Sequence, residues 1–149
     1  MSLDVDVSLD GARPPIASAR IAQIARDVLR AERVRNALLS IAFVARPTIA
    51  RINRLHLGHS GATDVISFGF TRATSADPVI GDIYICPDVA RANARSRSVG
   101  VREEIARLVV HGVLHVLGYD HPDDVAREKS DMWRRQERLL RRLGPAARR

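Results

Sequence analysis

Hydrophobic and polar positions change their period several times along the chain, and each change marks a predicted element. Leu3 to Leu9 alternates apolar with polar residues, as a half-buried strand does. Gly11 to Pro15 reads as a turn. From Ser18 to Arg33, the residues Ile21, Ile24, Ala25, Val28 and Leu29 recur at helical spacing, which predicts an amphipathic helix with its arginines on a solvated face. Ala37 to Val44 reads as a buried strand. Pro47 stands near the start of a second helix running to Leu57, a position that suits proline. After a loop from Gly58 to Ala62, Thr63 to Phe70 predicts a strand with Ile66, Phe68 and Phe70 on one face. Thr71 to Pro78 is a polar loop, and Val79 to Cys86 is a strand expected to neighbour the previous one.

Three helices are predicted to follow, Pro87 to Ser98, Val101 to Tyr119 and Asp124 to Leu143. The middle one opens with Glu103 and Glu104, which complement the helix dipole. Its second half, Leu108 to Leu117, is apolar nearly all round, as only a buried, central helix is. The last helix turns Val125, Met132, Trp133, Leu140 and Leu143 inward, and 144–149 form a frayed tail. The order of elements predicts an α+β fold with a mixed four-stranded sheet, about five packed helices and the middle helix at the centre. No repeat or linker interrupts it, so residues 1–149 are expected to form one domain.

Composition narrows the class. At 149 residues, 46% hydrophobic and 28% charged, the chain is neither disordered nor fibrous. No apolar run reaches the roughly 18 residues of a membrane span. The first residues carry no basic region followed by an apolar core, and a single cysteine, Cys86, suits core filling better than ligation. The expected compartment is the cytoplasm. The net charge of +7 points to an anionic partner, nucleic acid first. Compositional bias is an equally good source of that charge, because Lys129 is the one lysine among 24 basic residues. Only 4% of residues are aromatic, which argues against base stacking as the main mode of contact.

The chemistry concentrates in His111 to His121, where three of the five histidines fall within eleven residues. His111 and His115 are four apart and share one helix face. Gly118 can end the helix and redirect the chain, bringing His121 back as a third ligand. Three neutral imidazoles suit zinc best, with copper, nickel and iron as alternatives. The spacing His-x-x-x-His-x-x-Gly-x-x-His is that of metzincin proteases. Those carry a general-base Glu at the second position, where this chain has Gly112.

The fuller string, His111-Gly112-Val113-Leu114-His115-Val116-Leu117-Gly118-Tyr119-Asp120-His121, resembles the signature of the YbeY family of bacterial metal-dependent endoribonucleases, or ribosomal RNA maturation factors. Ile52-Asn53, Thr63-Asp64-Val65-Ile66-Ser67-Phe68 and Gly81-Asp82-Ile83 resemble further family pieces in the same order, so the likeness runs from Ile52 to Leu143. It implies that His111, His115 and His121 hold one zinc ion. It also implies a single-strand-specific endoribonuclease of ribosomal RNA processing, including small-subunit (16S) 3′-end maturation and ribosome quality control. RNA and ribosomal or ribosome-associated proteins are the implied partners. One departure stands out. Where the family has an aromatic residue followed by an Arg, this chain has His56 and Leu57. Arg54 or His59 could take over contact with substrate, or both could be ordinary surface residues.

Three protein ligands leave zinc a fourth position, the pattern of catalytic sites. RNA phosphodiester hydrolysis by zinc-bound water is the expected reaction. Asp64, Asp82 and Asp120 are candidates for moving a proton or orienting a histidine ring, and no catalytic residue is assigned among them. Two rival readings share the spacing. One is a ribosome-associated protein whose structural metal is closed by a fourth ligand such as Asp120 or Cys86. The other is a small zinc peptidase, which the missing Glu disfavours.

Overall fold

A computed structural model describes residues 2–120 and 130–143. The elements follow as β1 (Ser2–Asp10), α1 (Ser18–Ala31), β2 (Asn36–Val44), α2 (Arg46–Ile52), β3 (Val65–Gly69), β4 (Val79–Ile85), α3 (Pro87–Arg97), α4 (Val101–Val116) and α5 (Asp131–Leu143). The four strands form one sheet in the order β1-β2-β4-β3. β1, β2 and β4 run parallel, and β3 pairs antiparallel with β4 at the edge. The sheet is mixed and, among the described residues, carries five α-helices, as the pattern predicts. The expected start of the last helix, Val125 on its inner side and the expected tail lie outside the described residues.

Register fixes which side chains share a face. Leu39, Gly81 and Gly69 lie in one row, and Ile41, Ile83 and Ser67 in the next. This face meets α4, which also packs against α1, α3 and α5, so the apolar helix is central as its composition requires. The opposite face has a smaller core, where Val44, Ile49, Ile66 and Cys86 pack with Ile52, Phe68 and Tyr84. β2 is therefore two-faced rather than wholly buried, and Leu38 is 50% exposed. Phe70 also departs from its expected place with Ile66 and Phe68, because it lies past the end of β3 and is 58% exposed. Among the described residues no helix is long and apolar enough to cross a membrane.

The predicted second helix is interrupted. Its α-helical part ends at Ile52, and Asn53–Leu57 continue as a π-helical turn, a wider winding common at functional sites. Buried Asn53 donates from Nδ2 to the Gly61 carbonyl at 3.0 Å, and the His59 N–H donates to the Asn53 carbonyl at 3.3 Å. These bonds fasten the loop that follows to the turn.

What seats α4 on the sheet is missing side-chain volume. A Cβ on Gly112 would lie 2.8 Å from Ile83 Cγ2 and 3.2 Å from Ser67 Oγ. One turn along the helix the roles reverse. Val116 occupies the space above Gly81 and Gly69, where an added Cβ would meet Val116 Cγ1 at 2.5 Å and the Val116 carbonyl oxygen at 2.6 Å, respectively. Gly112→Ala gains about 1 kcal/mol of helix propensity but overpacks a buried contact, at a cost of about 1–3 kcal/mol. Urea unfolding of Gly112→Ala is expected to show a net loss of stability. Gly69→Ala is expected to lose more, because the atom it meets is backbone and cannot rotate away.

Candidate metal centre

α4 ends at Val116, three residues short of the expected Tyr119, and the expected glycine lies just beyond it. Gly118 adopts φ +103°, the Gly118 N–H donates to the His115 carbonyl at 3.0 Å, and the Tyr119 N–H donates to the Leu114 carbonyl at 3.1 Å. A left-handed glycine with these bonds stops the helix and turns the chain sharply. His111 and His115 lie one turn apart before that stop, with ring centroids 5.7 Å apart and planes at 80°. Both line a cavity of about 260 Å³ shared with Asn53, Leu57, His59, Thr63, Asp64 and residues 65–67 of β3. Because β3 is an edge strand, the cavity lies along the margin of the sheet. A second depression, of about 290 Å³, is also lined by His115, together with Gly69, Phe70, Thr71 and Arg72.

His111 is buried, and its Nδ1 lies 2.7 Å from Gln136 Oε1 on α5. The orientation of that amide is set from behind, since Gln136 Nε2 donates to Glu137 Oε2 at 3.0 Å. With the amide oxygen facing the ring, Nδ1 is the donor of that bond, and a neutral ring then keeps its lone pair on Nε2. Arg107 grips Glu137 through Nε at 2.9 Å and Nη2 at 3.2 Å. It also donates to Glu104 at 2.8 Å and Glu103 at 3.2 Å. Burial pushes the Glu104 carboxyl above its usual range, a rise only partly offset by the Arg107 hydrogen bond. Burial acts against the charge of Arg107, but its hydrogen bonds to Glu137 and Glu104 outweigh that and hold its pKa above the ordinary value.

A second group of side chains secures the turn after α4. Tyr119 Oη donates to Glu32 Oε1 at 2.7 Å, and Arg135 Nη2 donates to Glu32 Oε2 at 3.0 Å. Burial raises the Glu32 pKa, but the hydrogen bonds from Arg135 and Tyr119 outweigh it and leave the carboxyl below its ordinary 4.5. The Glu32 bond and burial together raise the Tyr119 phenol above its usual value.

The expected site residues separate into distinct places. His111 and His115 are together, and His121 lies outside the described residues, so no group of three metal-ligating side chains occurs among the described ones. Asp64 lines the cavity, and its oxygens accept from the Val65 N–H at 2.7 Å and Asn93 Nδ2 at 2.9 Å. Asp82 belongs to the opposite face of the sheet, where it accepts from Ser40 Oγ at 2.7 Å. Asp120 is exposed. Arg54 is exposed on the π-helical turn and is not among the cavity's lining residues, whereas Leu57 and His59 are. Cys86 is fully buried in the smaller core and is not among the cavity's lining residues. The chemistry of the two placed donors fits a transition metal: both are imidazoles one turn apart on one helix, and one is hydrogen-bonded at Nδ1 by a buried amide.

Gln136 is the residue the sequence reading misses. Its signal is position, since it falls four residues from Met132 and four from Leu140 on the buried stripe of α5. A polar side chain there, 1% exposed, requires a partner.

Comparison with known proteins gives a consistent relationship. Residues 10–144 match the family model described as Endoribonuclease YbeY. A protein named Endoribonuclease YbeY from Nocardioides sp. is 35% identical over 148 residues, covering 94% of this chain and 96% of its own. One of the same name from Thermobifida fusca is 36% identical, covering 94% and 92%. The solution structure of TM1509 from Thermotoga maritima superposes with a TM-score of 0.59 at 21% identity, over 95% of this chain and 88% of that one, and so shares the fold.

The Glu32 clamp has a pH signature. Because the folded pKa of Glu32 lies below 4.5, its contribution is intact above pH 4.5 and is lost as pH falls through the lower folded value. Glu32→Gln is expected to lower the melting temperature at pH 7 and to flatten its decline below pH 4.5, measured by thermal melts across pH.

Proposed function

The chain belongs to the Endoribonuclease YbeY family, and from that premise we propose that its β3-edge cleft holds one zinc ion on His111, His115 and His121 and cleaves single-stranded RNA. It is a hydrolytic endoribonuclease, and RNA is its substrate. Within this reading its work is ribosomal RNA processing, including 3′-end maturation of the small-subunit RNA and ribosome quality control, with ribosomal or ribosome-associated proteins as partners. The observation that carries the metal assignment is the pair of imidazoles lining one cavity, with Gln136 Oε1 2.7 Å from His111 Nδ1.

Bound zinc supplies a Lewis acid and activates water at neutral pH. The chain supplies the surroundings. Asp64, held by the Val65 N–H and Asn93, is a fixed acceptor at the cavity wall. His59 and Thr63 offer polar groups to a phosphate, and Leu57 offers none. The depression beside Phe70 and Arg72 extends the surface past His115, giving an extended strand a path along the sheet margin. Arg54 serves as an outer contact to the RNA backbone.

Two alternatives are weaker. A metzincin-like peptidase would need its Glu at position 112, where even a Cβ meets Ile83 at 2.8 Å. A structural metal closed by Cys86 is disfavoured by the burial of that thiol in the other core.

Elemental analysis of the purified chain is expected to find one zinc, with RNA cleavage lost on chelation and casein left intact. His121→Ala should lower bound zinc well below one per chain. A metal-free wild-type protein that cleaves RNA at full rate would overturn the reading.

The Leu57 departure makes a separate prediction. A guanidinium beside the phosphoryl oxygens stabilises developing charge, so Leu57→Arg should raise the cleavage rate by about 10-fold or more. Arg54→Ala should leave the cleavage rate at saturation alone but make the slope of log affinity against log salt shallower by about 0.7, the share of one single-strand phosphate contact.

A further inference from the structure

We infer that Gln136 is a positioning residue for the metal, fixing the tautomer and orientation of His111, and that Glu137 and Arg107 act at a distance by fixing which end of the Gln136 amide faces the ring. The inference rests on the reading above that His111 ligates a metal, and it concerns Gln136 and Glu137 of α5 and Arg107 of α4, which none of the motif pieces contains.

The geometry gives each member one role. Neutral imidazole has one N–H and one lone pair, so whatever accepts from one nitrogen decides which nitrogen can ligate. Gln136 Oε1 at 2.7 Å takes the Nδ1 proton. An amide can turn over and present its NH2 instead, and in that orientation Nδ1 would become the acceptor and Nε2 would carry the proton. Glu137 opposes the turn, because its Oε2 accepts from Gln136 Nε2 at 3.0 Å and would face the amide oxygen after it. Glu137 is itself held by two bonds from Arg107, whose guanidinium keeps Glu103 and Glu104 as further partners. Gln136 is 1% exposed and His111 5%, so water has little access to substitute for either bond. Partners of this kind behind a ligating histidine typically contribute 10–100-fold to metal affinity.

A merely structural Gln136 makes a different prediction. Filling and satisfying the core between α4 and α5 would change the stability of the metal-free chain and leave the ring's proton and the zinc affinity of folded molecules unaltered.

The test uses the full chain and the variants Gln136→Leu, Gln136→Glu and Glu137→Ala. Zinc affinity is measured by competition with a chromophoric chelator, and the His111 ring nitrogens are read by nitrogen-15 NMR in metal-free protein. Wild type is expected to carry the His111 proton on Nδ1. Gln136→Leu and Glu137→Ala are expected to lose that preference and to bind zinc about 10–100-fold more weakly. Gln136→Glu keeps an acceptor oxygen facing Nδ1 and should keep the ring proton there, although its second oxygen loses the bond to Glu137. Glu137→Ala leaves the Gln136 side chain in place, so the test survives if Gln136→Leu fails to fold. Wild-type zinc affinity in the Glu137→Ala variant, or a wild-type ring protonated on Nε2, would overturn the inference alone. A wild-type chain that takes up no zinc would instead overturn the metal reading, and the inference with it.

Discussion

The closeness of α4 to the sheet is the constraint on which the rest depends. A helix separated from a strand by ordinary side chains could not bring His111 and His115 level with the edge of β3. Here the spacer is removed twice, once on the helix at Gly112 and once on the sheet at Gly81 and Gly69, with Val116 filling the recess that the sheet glycines leave. Cores are packed nearly as densely as organic crystals, so such a fit leaves little freedom to slide. The histidines inherit that fixity because they flank the contact on the same turns of helix. The same contact explains why a carboxylate cannot stand beside His111: position 112 is occupied by the sheet.

Much of this was legible in the sequence because it depends on local periodicity. The change from alternation in β1 to helical spacing in α1, the apolar second half of α4 and the glycine that ends it each leave a signal within a few residues. What was not legible depends on relations between distant elements. Leu38 reads as core within an apolar run, but its exposure follows from which face of β2 the helices cover. The π-helical turn of Asn53–Leu57 has no distinguishing pattern, and nothing local separates Arg54 outside the cavity from Leu57 lining it. The Asp82 side chain shares a motif with the site but belongs to the other face of the sheet, a matter of strand parity. Gln136 shows most directly what spacing omits. Periodicity places it inside, and only the partner 25 residues away says why.

Behind the cavity runs an unusually polar seam. Arg107, Glu103, Glu104, Glu137 and Gln136 occupy space between α4 and α5 that apolar side chains could fill. Replacing a buried ion group with hydrophobic residues is often neutral or stabilising, whereas removing one member costs several kcal/mol. Its value here lies in geometry. Charged groups with complementary donors and acceptors accept few arrangements, and a helix docked through them has its rotation specified as well as its position. Arg97, stacked 4.9 Å from the Trp133 ring and 3.6 Å from Glu104, ties α3 to the same seam.

The Glu32 clamp and the Gln136 bond share a further property: each closes on α5, the last element described. Arg135 reaches back 103 residues to Glu32, and Glu137 reaches back 30 to Arg107. A chain being synthesised from its N-terminus can assemble the sheet and lay α4 upon it while those closing groups are still unmade. Until α5 arrives, the His111 ring has no Gln136 to hold its proton, and the turn beyond Gly118 has no Arg135 behind its clamp. The order of translation thus leaves both bonds to be made last, after the sheet and α4 that they close on.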